Sequence, residues 1–226
     1  MIVNDIFYSL QGEGFLAGTA AVFIRLAGCR LRCRWCDTRH AWPQTAGTDY
    51  DIDEIVRAAG QWDSEFAVIT GGEPMINPQL PILAGRLKET GRHITIETAG
   101  IVFVGGLACD LMSISPKLSN STPSQPDLAA GHEKARLDIA ALNSLIDNYT
   151  YQLKFVVEQD GDLAEIQQTL RQLPAVRPER VILMPQAVAR EEFLKKAPMV
   201  AEMCKRSGFV FGQRLQVLLW NNARGT

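Results

Sequence analysis

The sequence predicts an α/β fold, a partial, TIM-like βα barrel of about six parallel strands. Apolar runs of strand length recur along the chain, stretches with helical periodicity separate most of them, and three cysteines cluster directly after the first of those runs. With 226 residues, 46% of them hydrophobic, the chain can bury one core, so residues 1–226 are expected to form a single domain.

An extended N-terminal stretch comes first. Strands are then expected at AAVFIRLAG, EFAVITGG, RHITIETAG, CDLMSIS, TYQLKFVVE and ERVILMP. Helices are expected over DIDEIVRAAGQW, NPQLPILAGRLKETG, DIAALNSLIDN, DLAEIQQTLRQL and REEFLKKAPMVAEMCKRSG. Strands alternating with helices argue for parallel βα units. The third unit is the weak one: ETAGIVFVGGLACD is too short and glycine-rich for a full crossover helix, which leaves the barrel incomplete there. The polar, proline-broken stretch SPKLSNSTPSQPDLAAGHEK reads as a long loop after a strand end, where loops are often functional.

Lysine plus arginine (23) and aspartate plus glutamate (25) nearly balance, so no charge excess points to nucleic acid or to an anionic membrane, and a small-molecule substrate is expected. The opening MIVNDIFYSLQGEG has no basic region followed by an apolar one, and no apolar run reaches the roughly 18 residues of a membrane helix. A cytoplasmic protein is expected.

Five cysteines is an odd number, and in a reducing compartment the cluster Cys29, Cys33 and Cys36 reads as metal ligation before disulfide. The C-x3-C-x2-C spacing follows a strand end, where barrels of this kind place their chemistry. Three thiolates bind three irons of a cubane cluster and leave the fourth open to a ligand. A zinc site completed by Cys109, Cys204 or His40 is the alternative, but its fourth ligand would be distant. Cys109, in an apolar strand, and Cys204, on a helix beside Met203, read as buried small hydrophobes.

Other residues support a site at the same end. Thr70, Gly71, Gly72, Glu73 and Pro74 end the second strand and enter a helix; the glycines let backbone approach a ligand, and Glu73 can accept from an ammonium group. Ser115, Pro116 and Lys117 follow the fourth strand, Gln186 the sixth, and Glu97 and Thr98 the third. Arg25, inside an apolar strand, must meet an anion if it faces inward: a substrate carboxylate or Glu13. Thr38 is either a cap or a Mg2+ ligand, and Trp35 either a core aromatic or a ring packed on a bound base.

With Trp35 just before the third cysteine, the motif resembles the signature of the radical S-adenosylmethionine superfamily. SLQGEG, FIRLAGC, CRWCDTRHAW, VITGGEP, SISPKLSNSTP and RLQVLLWNNARGT together resemble its 7-carboxy-7-deazaguanine synthase family, of the queuosine pathway. The resemblance implies a truncated barrel in a homodimer, with a 4Fe–4S cluster, S-adenosylmethionine and Mg2+ as cofactors. It implies that the cluster's electron releases a 5′-deoxyadenosyl radical, which starts a carbon–nitrogen lyase reaction fed by an electron donor such as a flavodoxin. The implied substrate is 6-carboxy-5,6,7,8-tetrahydropterin, which contracts to 7-carboxy-7-deazaguanine with loss of ammonia. Position by position, it implies that Leu10, Gln11, Gly12, Arg25, Thr70 and the carboxylate of Thr226 hold the pterin, and that Thr38 holds Mg2+. Trp35, Cys36, Asp37, Gly72, Ser115, Pro116, Lys117 and Gln186 would hold S-adenosylmethionine, with no catalytic side chain beyond cluster and cofactor. Asp37 reads equally as a turn-former. Gln216 stands where relatives commonly have histidine. The rivals are an activase that makes a glycyl radical on a partner protein, which would share the cysteines and GGEP, and an iron–sulfur electron carrier, which would favour four cysteines.

Overall fold

A computed structural model describes residues 1–225. Strand β1 (Ile2–Leu10) runs antiparallel to β2 (Ala20–Leu26), and the two-residue β3 (Thr48–Asp49) flanks β1. From β2 the sheet continues in parallel through β4 (Phe66–Gly71), β5 (His93–Thr98), β6 (Leu111–Ile114), β7 (Tyr151–Val157), β8 (Val181–Pro185) and the short β9 (Val210–Phe211). Among the described residues the nine strands form one sheet in the order β3-β1-β2-β4-β5-β6-β7-β8-β9, open between its edges. The partial barrel and all six expected strands are present.

The expected helices are α1 (Ile52–Ala59), α2 (Leu80–Glu89), α4 (Ile139–Asn148), α5 (Asp162–Leu170) and α6 (Arg190–Ser207). Their starts are written locally: Glu54 accepts from the Asp51 N–H at 2.9 Å, and Asp138 accepts from the Ala141 N–H at 2.9 Å. Between β5 and β6 no helix intervenes, as its glycines foretold. The expected long loop after β6 is a correction: it contains α3 (Pro126–Ala135), with Pro126 in the first turn, where proline is tolerated, and Asp127 beside it. A last helix, α7 (Leu215–Trp220), was also not foreseen. No helix among the described residues is long and apolar enough to cross a membrane.

Alternation along the strands creates two unlike faces. Ile24, Ile69, Ile96, Ile114, Phe155 and Leu183 pack beneath the helices with Leu83, Leu142 and Val200. The inner face is apolar at the strand beginnings, where Ala21, Phe23 and Val68 meet Phe7, whose ring stacks on Phe23 at 5.0 Å. Towards the strand ends it becomes polar: Arg25 is paired in register with Thr70, and Glu97 with Ser113. The polar end is where the connecting loops gather, so the fold itself delivers charge to the site.

Phe155, at 0% exposure, is the largest fully buried side chain of β7. Phe155→Ala should cost about 3–5 kcal/mol, read by urea denaturation as a lower midpoint at unchanged slope.

Candidate active site

The cysteines lie on the loop that leaves β2. Its neck is closed by the Gly28 N–H donating to the Ala41 carbonyl (2.8 Å) and the Cys29 N–H to the Trp42 carbonyl (3.1 Å). A turn in which Cys36 N–H donates to the Cys33 carbonyl at 3.1 Å brings those two residues together. Cys29, Cys33 and Cys36 all line one cavity of about 350 Å³. Burial pushes the Cys29 thiol up to about 11 and the Cys33 thiol up to about 12, so ligation of a metal must displace their protons. Gly72 backs this loop. A Cβ there would stand 2.1 Å from the Gly28 carbonyl oxygen and 2.9 Å from the Cys29 Cβ, so only glycine lets the end of β4 come this close.

The donor set fits a cubane cluster better than a single ion. Cys29, Cys33 and Cys36 line the cavity and no fourth cysteine does, which is the ligand number of a cubane with one iron left open. Cys109 lies just before β6 rather than in it, and burial pushes its thiol up to about 12; Cys204 is buried on α6. Neither lines the cavity.

The same cavity holds an ionic network centred on Glu13. Glu13 accepts from Lys154 Nζ at 2.9 Å, from Arg214 Nε at 2.9 Å and from Gln216 Nε2 at 2.8 Å. Lys154 also reaches Glu97 at 3.3 Å, Glu97 accepts from Thr70 Oγ1 (2.9 Å) and Gln11 Nε2 (3.3 Å), and Arg214 Nη2 donates to Asp37 at 2.7 Å. Burial alone would raise the Glu13 carboxyl, but the Lys154 and Arg214 cations outweigh it and hold the group well below the usual carboxylate range. Burial would likewise lower Lys154, and Glu13 and Glu97 more than reverse it. Gly12 belongs to the same assembly: a Cβ there would fall 2.0 Å from Gln216 Oε1.

The cavity brings together most of the expected residues. Leu10, Gln11, Gly12, Arg25, Trp35, Asp37, Thr38, Thr70, Gly72, Ser115 and Lys117 all line it with the cysteines. Arg25 does not pair with Glu13. Its guanidinium lies 5.6 Å from the centre of the Phe7 ring, and among the described residues it has no carboxylate partner. Thr38 makes no cap hydrogen bond; its Oγ1 lies 3.7 Å from Cys36 Sγ. Trp35 donates to Asn120 Oδ1 at 3.1 Å while its ring carries Lys117 Nζ at 5.6 Å.

Three of the residues expected at the site lie off the cavity, and one lies beyond the described chain. Gln186 is buried off the cavity, because Lys196 Nζ holds its amide oxygen at 2.6 Å. Pro116 is buried behind Ser115 and Lys117 and does not line it. Glu73 turns away from the cavity: it accepts from Thr98 Oγ1 (2.6 Å), the Ala99 N–H (2.7 Å) and the Met75 N–H (3.2 Å), and burial pushes its pKa up despite those bonds. Thr226 lies outside the described residues. Sequence reading missed Lys154 and Arg214. A lysine inside TYQLKFVVE carries the same signal as Arg25, an ion in an apolar strand; Arg214 carries no local signal.

Comparison with known proteins agrees with this geometry. Residues 23–115 match the family model described as the Radical SAM superfamily. The 7-carboxy-7-deazaguanine synthase of Halobacterium salinarum is 38% identical over 99% of this chain and 92% of its own, and that of Rhodopirellula baltica 39% identical over 100% and 89%. The crystal structure of QueE from Escherichia coli superposes with a TM-score of 0.71 at 25% identity, covering 93% of this chain and 92% of that one.

Glu13→Gln leaves Lys154 and Arg214 buried without their shared anion and should cost about 3–5 kcal/mol at neutral pH. Because the folded carboxyl titrates below its unfolded value, its stabilisation is present above pH of about 4 and is lost as pH falls through the folded value. Denaturation of both proteins against pH should show the gap closing on the acid side.

Proposed function

The chain belongs to the 7-carboxy-7-deazaguanine synthase family of the radical S-adenosylmethionine superfamily, and from that membership we propose that its cavity contracts 6-carboxy-5,6,7,8-tetrahydropterin to 7-carboxy-7-deazaguanine with loss of ammonia. One observation carries the reading. Of the lysines and arginines that line the cavity, Lys154, Arg214 and Arg224 are paired with acids, whereas Arg25 and Lys117 have no carboxylate partner among the described residues. Two unpaired cations suit two ligand carboxylates, one on the pterin and one on the methionine part of S-adenosylmethionine.

Held by Cys29, Cys33 and Cys36, the cluster supplies the electron that splits S-adenosylmethionine. The protein's share is placement. Lys117, with Ser115 Oγ hydrogen-bonded to its Nζ at 2.8 Å, binds the cofactor's carboxylate and ribose, Gly72 leaves its backbone open to the amino group, and Trp35 and Asp37 flank it. Arg25 binds the pterin carboxylate and Thr70, its register neighbour, the adjoining edge, while Leu10, Gln11 and Gly12 close the far side. Thr38 offers its hydroxyl to Mg2+, which keeps most of its waters. The same reading makes the chain a single-domain, cytoplasmic homodimer served by a flavodoxin-like donor. Exposed Arg30, Arg34 and Arg39 around the cysteines suit an acidic carrier. Full-length similarity to synthases sets aside the glycyl-radical activase.

The test is anaerobic. The reconstituted, reduced protein is given S-adenosylmethionine, Mg2+ and the carboxytetrahydropterin, and 7-carboxy-7-deazaguanine is sought by mass spectrometry. 5′-Deoxyadenosine without that product would refute the substrate, and neither product from a protein with intact cluster would refute the enzyme. Arg25→Ala should keep its iron and its S-adenosylmethionine binding yet lose at least about a hundredfold in product formation; Cys33→Ala should lose iron and both products.

A further inference from the structure

Between Cys29 and Cys36 the chain has neither helix nor strand, so the shape of the loop is imposed from outside. The outside contact is the segment after β6. His132, 1% exposed on α3, takes the Arg32 N–H on its Nδ1 at 3.1 Å. Its proton therefore sits on Nε2, which donates to Ser121 Oγ at 2.9 Å, and that hydroxyl donates to the Leu118 carbonyl at 2.6 Å. Both ring nitrogens are thus committed, and the ring has one orientation. The carbonyl of Ser121, itself fully buried, accepts the Arg34 N–H at 2.8 Å. Cys33 is flanked by Arg32 and Arg34, so this pair grips the backbone on both sides of the central cysteine. The grip reaches Cys29 too, because the Arg32 guanidinium donates to the Cys29 carbonyl at 2.8 Å.

We propose that His132, oriented by Ser121, is a positioning residue that sets the cysteine loop for its cluster and ties it to the segment carrying Ser115 and Lys117. The proposal rests on the reading of the three cysteines as cluster ligands. His132 touches neither cofactor nor substrate in this role; it acts through the Arg32 and Arg34 amides.

The experiment compares wild type, His132→Asn, His132→Leu and Ser121→Ala after anaerobic reconstitution. It measures release of iron to a chelator and the electron paramagnetic resonance spectrum of the reduced cluster with and without S-adenosylmethionine; circular dichroism checks the fold. Asparagine can place its Oδ1 where Nδ1 stood and should keep wild-type behaviour. Leucine leaves the Arg32 N–H without its acceptor, so iron release should be about tenfold faster and the spectrum altered. Ser121→Ala frees the ring and should give a smaller change in the same direction. A folded His132→Leu protein with wild-type iron release and spectrum would overturn the proposal, as would an asparagine variant no better than leucine. If the leucine variant fails to fold, Ser121→Ala decides, and wild-type values there overturn it. A wild-type chain that takes up no iron would instead refute the cluster reading beneath it.

Discussion

The cavity is organised around one carboxylate, Glu13, gripped by a lysine from β7 and an arginine from the turn before α7. Removing three charges from water is expensive, and such a cluster contributes more to a unique arrangement than to stability. Its consequence is positional. Holding Glu13 also holds its neighbours: the Glu13 N–H donates to Gln11 Oε1 at 3.0 Å, and the Phe15 N–H to Gln152 Oε1 at 2.8 Å. The loop after β1, which would otherwise be a mobile connection, becomes a fixed wall. Because Lys154 also reaches Glu97, the same lysine orients the acid that accepts from Gln11 and Thr70.

What the sequence disclosed is what depends on near neighbours. The strands were legible because apolar runs of fixed length need no partner to be recognised, and the site's location followed from cysteines placed just after a strand. Helix α3 was hidden because the prolines in and before it read as breakers, although Pro126 occupies the first helical turn, whose amides have no partner within the helix to lose. The ionic network was hidden for a different reason: Arg214 and Gln216 meet Glu13 across 201 and 203 residues, and no local pattern announces such a partner. Gln186 shows the converse case. Its place after a strand end was read correctly, but its amide was already taken by Lys196 from the following helix.

Two kinds of order therefore meet in the cavity. The cysteine side is irregular backbone held by hydrogen bonds from its surroundings, with Gly72 admitting the close approach that a side chain would forbid. The charged side joins the strand residues Lys154 and Glu97 to Glu13 in the loop after β1 and to Arg214 before α7. The irregular backbone presents three thiols, while the ionic network keeps the donors and acceptors around Glu13 fixed.

The position of Arg214 in the chain also bears on how the protein is made. A nascent chain that has already emerged through β9 has both Glu13 and Lys154 in hand but still lacks the guanidinium that shares their charge, and Gly12 still lacks the Gln216 side chain that fills the space beside it. Until the segment around α7 docks, the wall around Glu13 is unfinished. Closing contacts of such long sequence separation carries a high loop-entropy cost and slows folding, so the same pairings that fix this wall make it a kinetically demanding part of the fold.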